Sequence, residues 1–179
     1  RYGYALVDVD ARGSGASFGT RAHPWSEDEI EDYREVVDWV VAQEWSNGNV
    51  GATGVSYGGT CAEFMATLGH PALKAVIIRF SLHDVYADIA FPGGVFNRGF
   101  VEAWGRFNNS LDRGETPEEL PGLMRWFVLG PEPVKGHEHE LEAALAEHAQ
   151  NVDIAEAAAQ AVYRDDVSPL AGSSVDGFS

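Results

Sequence analysis

Apolar positions along the first half of the chain switch spacing several times. Gly3 to Val9 (GYALVDV) is a short apolar run rich in strand formers, and Asp10 to Ser26 is broken by Gly13, Gly15, Gly19 and Pro24. This pattern predicts a strand followed by a loop. From Glu27 the period changes. Tyr33, Val36, Val37, Val40 and Val41 recur at i, i+3, i+4, i+7 and i+8, with acids in the first turn, which predicts an amphipathic helix ending near Trp45. Asn47-Gly48 supplies a turn, and Val50 to Val55 predicts a second strand that runs directly into Ser56. Cys61, Phe64, Met65 and Leu68 then share one helical face until His70-Pro71, and Lys74 to Phe80 (KAVIIRF) predicts a third, buried strand.

The predicted order is therefore β-α-β-α-β. Short links between alternating strands and helices imply parallel strands, hence an open sheet with helices on both faces. Catalytic groups in such sheets lie at the carboxyl ends of the strands. Past Pro92-Gly93-Gly94 the strand signal stops, and Ala, Glu and Leu at helical spacing dominate to about Tyr163. Thr116-Pro117-Glu118-Glu119 combines a capping residue, Pro at the first helical position and Glu three after the cap, which predicts a helix start. Glu138 to Ala149 and Asn151 to Tyr163 predict two more helices, and Ser168 to Ser179 is polar and Gly-rich. Three segments follow: a core over 1–94, a helical insertion over 95–166, and a return segment over 167–179.

Composition narrows the functional classes. The chain has 179 residues and 45% hydrophobic content, enough for one well-packed core with an insertion. Twelve Lys and Arg against 28 Asp and Glu give a formal net charge of −16, which repels phosphate backbones and anionic membranes. Nucleic acid and membrane partners are disfavoured. The acids are dispersed, as on a solvated surface. The single cysteine, Cys61, excludes an internal disulfide scaffold and a cysteine-based zinc site. No apolar run approaches the roughly 20 residues that span a bilayer, which predicts a soluble chain. The compartment and the oligomeric state are left open.

Gly54-Val55-Ser56-Tyr57-Gly58 carries the most specific chemistry. A serine hydroxyl becomes a nucleophile when it is exposed, aligned with a base and set beside donors for the developing oxyanion. The G-x-S-x-G pattern at a strand-to-helix junction meets two of these needs. Serine sits on a sharp turn, where Gly54 and Gly58 are expected to prevent collision with neighbouring backbone. The free N–H groups of the following helix make the Tyr57 backbone N–H the natural oxyanion donor. The predicted fold is thus an α/β-hydrolase core, partial, with a helical cap insertion. Gly13-Ser14-Gly15 does not extend to a dinucleotide fingerprint, because Phe18 occupies the third glycine position.

A wider set of motifs resembles the CocE/NonD hydrolases, which include Xaa-Pro dipeptidyl peptidases and cocaine esterase. These are Asp10 to Ser17 (DARGSGAS), Glu31-Asp32 heading a helix with Trp39, Gln43 to Gly51 (QEWSNGNVG), Gly54 to Gly59 (GVSYGG) and Phe91-Pro92-Gly93-Gly94 before a helical insertion closed by Arg164-Asp165-Asp166. The resemblance implies acyl transfer from an ester, amide or peptide through an acyl-serine at Ser56, without a cofactor or metal. It also implies a second oxyanion donor from a tyrosine before Arg1, and an acid and a base after Ser179, so that this chain is part of the enzyme and nearly inactive by itself.

Other candidates have plainer readings. His83-Asp84 follows the third strand, but adjacent residues cannot orient each other as a triad requires. His137, His139 and His148 carry imidazoles, yet residues two apart on a helix diverge, so a solvated helix start is the simpler reading of His137-Glu138-His139. Asp10 and Arg12 are placed to brace the glycine-rich loop. Phe91, Phe96, Trp104 and Phe107 are spaced as core aromatics. A non-catalytic binding module on the same scaffold is the competing class, because a fold does not fix function.

Overall fold

Ser26 ends the glycine-rich loop and caps the first helix, its Oγ accepting the Glu29 N–H at 3.3 Å. The computed structural model in which this is seen describes residues 3–117, 130–161 and 163–167. They fall into two units: one holds Arg1–Asp8 and Trp25–His83, the other Val9–Pro24 and Asp84–Ser179.

The first unit is the α/β part. Helix α1 (Glu27–Ala42) carries Glu27, Asp28 and Glu29 in its first turn, where the helix dipole favours negative charge. It buries Val37 on the face that the valine spacing defines. Strand β1 (Val50–Val55), helix α2 (Tyr57–Thr67) and strand β2 (Leu73–Arg79) follow. β1 and β2 pair in parallel from Gly51↔Ala75 through Gly54↔Ile78 and Val55↔Arg79, with a register irregularity between Val50 and Gly51. Helix α2 packs against both strands and α1 against α2. The result is a two-stranded parallel sheet with one crossover helix, as the alternation of periods predicts, but β2 is not the buried strand that its apolar run suggests: Ile77 and Phe80 are 61% and 80% exposed, because β1 is its one partner among the described residues.

The predicted strand at Gly3 to Val9 forms no ladder among the described residues. Tyr4 and Leu6 are 91% and 90% exposed, so the apolar run has neither a hydrogen-bonding neighbour nor a covered face. A strand is defined by its partner, and no described segment supplies one.

The second unit is built from helices. A π-helical turn (Tyr86–Ala90) and a short 3-10 turn (Pro92–Gly94) lead into α3 (Arg98–Asp112), followed by α4 (Glu138–His148) and α5 (Ile154–Ala159). Its apolar cluster is Ala90, Phe91 and Ala161, with Tyr86 and Phe96 against it. Tyr86 and Phe91 stack with ring centroids 4.5 Å apart, so the expected core role of Phe91 and Phe96 is the one observed. Helix α3 is the longest element here and is not marked off in the sequence. Helix α5 stops short of Tyr163 because its last turn tightens to i→i−3 bonds, Gln160 N–H to Ala157 O and Ala161 N–H to Ala158 O. The expected helix start at Thr116 to Glu119 reaches beyond the described residues, and Ser168 to Ser179 lie outside them.

The loop from Val9 to Pro24 belongs to this unit and is tied to α3 and α4 by polar contacts. Arg21 Nη2 meets Asp112 Oδ2 at 2.8 Å, Gly19 N–H donates to Glu147 at 2.6 Å, and Asn151 accepts from Arg21 N–H and donates to Gly13 O. Asp10 braces the loop from within, accepting the Ala16 N–H at 3.0 Å. No helix among the described residues is long and apolar enough to cross a membrane.

Candidate active site

Ser56 is the single residue between the end of β1 and the start of α2. Its backbone sits at φ 57°, ψ −123°, a conformation that costs a residue bearing a Cβ about 1–3 kcal/mol. Neighbouring backbone holds it there. The Ser56 N–H donates to Arg79 O at 3.1 Å, at the end of β2, and Ser56 O accepts the Thr60 N–H at 3.0 Å. Thr60 Oγ1 in turn accepts the Leu82 N–H at 3.1 Å, fixing the chain beyond β2 to α2.

Two glycines make the turn sterically feasible. A Cβ on Gly54 would overlap the backbone of Gly58, and one on Gly59 would overlap the carbonyl of Arg79. The sequence pattern assigns the second steric requirement to Gly58, but a Cβ there would meet nothing within 4 Å. The close approach falls one residue later because α2 turns its Gly59 face, not its Gly58 face, onto β2.

The Ser56 side chain is exposed and makes no hydrogen bond among the described residues. As the first residue of α2, Tyr57 has a backbone N–H with no acceptor inside the helix. An exposed hydroxyl beside a free helix N-terminal donor is what attack on a carbonyl and capture of its oxyanion require.

Beneath this turn lies a buried carboxylate. Glu29 is fully buried and accepts the Tyr57 O–H at 2.7 Å and the Trp25 N–H at 2.9 Å on Oε2. Its Oε1 accepts the Tyr33 O–H at 2.5 Å, with Cys61 Sγ 4.0 Å away. The indole of Trp25 stacks on the Tyr57 ring at 4.5 Å, and its Nε1–H donates to Tyr57 O at 3.3 Å. Burial first, and the Glu29 charge second, hold the Tyr57 and Tyr33 phenols well above their ordinary range. Burial pushes the Cys61 thiol up to about 11, against a lowering contact with the Tyr33 hydroxyl.

Backbone strain is concentrated in the same place. The non-glycine residues with positive φ among those described are Trp25, Ser56 and Phe80: the Tyr57 stacking partner, the turn itself and the residue after Arg79. Residue type alone does not separate Glu29 from its first-turn neighbours Glu27 and Asp28. The one signal is the Ser26-x-x-Glu29 spacing of a capping box, and here the Glu29 side chain goes to the Trp25 N–H.

The other candidates lie elsewhere. Asp84 accepts the Ala87 N–H at 3.0 Å and pairs with Arg164 at 3.0 Å. His70 is held by Asp38 at 3.0 Å and by the Ala72 N–H at 3.1 Å, at the opposite end of α2 from Ser56. His137 pairs with Glu140 at 3.0 Å, and His148 is buried with Nε2 2.7 Å from Ser17 O. No group of three His, Cys, Asp or Glu side chains that could hold a metal occurs among the described residues.

Residues 1–169 match the family model described as X-Pro dipeptidyl-peptidase (S15 family). A Mycobacterium bovis protein assigned by name to the serine esterases is 48% identical over 168 residues, covering 93% of this chain and 27% of its own length. The cocaine esterase of a Rhodococcus species is 37% identical over 105 residues, 58% of this chain and 18% of that protein. The crystal structure of a CocE/NonD family hydrolase from Staphylococcus aureus superposes with a TM-score of 0.60 at 30% identity, over 91% of this chain and 23% of that one. The chain thus spans about a quarter of the length of such relatives. On the extent of the family match and the shared fold, the chain belongs to the X-Pro dipeptidyl-peptidase (S15) family of CocE/NonD-type α/β hydrolases.

Proposed function

We propose that the protein carrying this chain is a serine hydrolase that transfers acyl groups from esters or amides to water through an acyl-serine at Ser56. The backbone N–H of Tyr57 donates to the oxyanion. The observation that carries this reading is the Ser56 backbone, held at φ 57° and ψ −123° between a parallel strand and a helix N-terminus with its hydroxyl exposed. In the reaction the Ser56 oxygen bonds to the substrate carbonyl carbon as a base takes its proton. The negative charge that develops on the carbonyl oxygen falls where the Tyr57 N–H points. Collapse expels the alcohol or amine, which takes up the proton, and water repeats the sequence to release the acid.

The names of the relatives include both esterases and Xaa-Pro dipeptidyl-peptidases, and the family description names the latter, so ester and peptide substrates stand side by side. Acid, base and second oxyanion donor are expected from sequence outside these 179 residues. In support, the chain spans about a quarter of the length of its relatives. Residues 95–166 are read as a cap-type insertion in the sequence of the hydrolase core.

The test is labelling and turnover. In the protein carrying this chain, an alkyl fluorophosphonate is expected to modify Ser56, and Ser56→Ala is expected to lower ester hydrolysis by about 10³-fold or more. The 179-residue chain by itself is expected to hydrolyse nitrophenyl esters only weakly. Ser56 left unmodified, with hydrolysis unchanged in Ser56→Ala, would return the chain to a binding module.

A further inference from the structure

We infer that Glu29 is a positioning residue for the oxyanion donor, acting through the Tyr57 hydroxyl; this rests on the reading of Ser56 as the nucleophile. A backbone N–H stabilises an oxyanion only if it is aimed before the charge appears, because its advantage over water lies in needing no reorganisation. The Tyr57 N–H is set by the orientation of one peptide plane, the plane joining it to the strained Ser56. Strain of about 1–3 kcal/mol pushes that plane toward a relaxed conformation, so other contacts must hold it.

Tyr57 is held at three points. Its ring stacks on Trp25, its carbonyl accepts the Trp25 indole N–H, and its hydroxyl donates to Glu29. Trp25 is itself held by Glu29, through its backbone N–H. Both anchors of Tyr57 therefore converge on one carboxylate. Glu29 sits on the first turn of α1, so the carboxylate is fixed to a helix and not to a loop.

A helix-capping role does not account for this placement. Capping requires a side chain near the helix start, but Glu29 is fully buried and receives the hydroxyl of a residue 28 positions away. Burying a carboxylate is costly unless donors surround it, and the donors gathered here are the two tyrosines and the Trp25 N–H. A pair of apolar residues would fill the space at less expense. The arrangement does what packing cannot: it fixes the direction of Tyr57.

The experiment is a double-mutant cycle in the protein carrying this chain. Tyr57→Phe removes only the hydroxyl and keeps the ring stack, whereas Glu29→Gln removes the charge and keeps the shape. For both variants and their combination, kcat and KM on a nitrophenyl ester and the rate of Ser56 modification by an alkyl fluorophosphonate are measured. Val37→Ala, a cavity on α1 remote from the hydrogen bonds of Glu29, serves as the control for lost stability alone.

Each single variant is expected to lower kcat and the modification rate about 10-fold, with KM within about twofold of the wild type. The combination is expected to be no worse than the weaker single variant. Val37→Ala is expected to melt earlier with kcat unchanged. If Glu29→Gln does not fold, Tyr57→Phe gives the answer by itself. A modified Ser56 with wild-type rates in Tyr57→Phe, or losses that multiply in the combination, overturns the positioning role and leaves the nucleophile standing. Wild-type protein unmodified at Ser56 overturns both.

Discussion

The backbones of Gly54 and Gly58 lie so close that a single methyl group on Gly54 would overlap the Gly58 carbonyl. Gly58 itself faces open space, and the second tight contact belongs to Gly59 against Arg79 O. Alanine variants at the three positions should therefore part company. Gly54→Ala and Gly59→Ala are expected to lose about 1–3 kcal/mol or more of stability, since backbone cannot move aside as a side chain can. Gly58→Ala, within α2, is expected to be neutral or stabilising by about 0.5–1 kcal/mol. Thermal and urea unfolding of the three variants check this, and equal damage at Gly58 would contradict it.

Alkali should unfold the protein through Cys61, Tyr33 and Tyr57. All three bind their protons more tightly when folded, because burial penalises the charged form. An unfolded chain releases these protons from about pH 9 upward, so above that point it binds fewer protons than the folded one. Stability then falls as pH rises. The contribution is fully present below the unfolded values of 9.0 for the thiol and 10.0 for the phenols; the thiol share is lost as pH rises through about 11. Melting temperature is expected to drop steeply above pH 9, and difference titrations against Tyr33→Phe and Tyr57→Phe should show tyrosinate only as unfolding proceeds. Free titration of either phenol in the folded protein would sink the argument.

The buried ion pair of Arg21 with Asp112 should behave asymmetrically on mutation. Both side chains are nearly buried, at 7% and 11% exposure. Asp112→Ala is expected to cost about 3–5 kcal/mol because it strands a guanidinium with little access to water, while replacing both partners by Met and Leu recovers much of that loss. Denaturant unfolding of the single and double variants measures the difference. A loss below about 1 kcal/mol in Asp112→Ala would mean that water reaches Arg21.

What could be read from the sequence was what repeats locally. The valine spacing locates α1, the run from Val50 locates β1 to the residue, and G-x-S-x-G places Ser56 on the turn where it is found. Contacts between distant residues were not legible. Gly3 to Val9 has the composition of a strand, but pairing depends on a neighbour that composition cannot name. The need for glycine at 59 instead of 58 depends on which side of α2 meets β2. Glu29 looks like one more acid at a helix start, and only the approach of Tyr57, far along the chain, distinguishes it.

The Arg79 carbonyl receives the Ser56 N–H and also lies against Gly59, so the turn is machined to the end of β2 as well as to β1. Its accuracy is inherited from strand alignment. A one-residue slip of β2 would present a different carbonyl and detune the serine without altering any residue around it. The irregular step between Val50 and Gly51 lies at the opposite end of β1, about 17 Å of strand away, where a misfit has little leverage on the tip. Tuning of the turn therefore belongs as much to the seam between two strands as to the serine itself, and screens for changes that act on Ser56 have reason to include the length of β2.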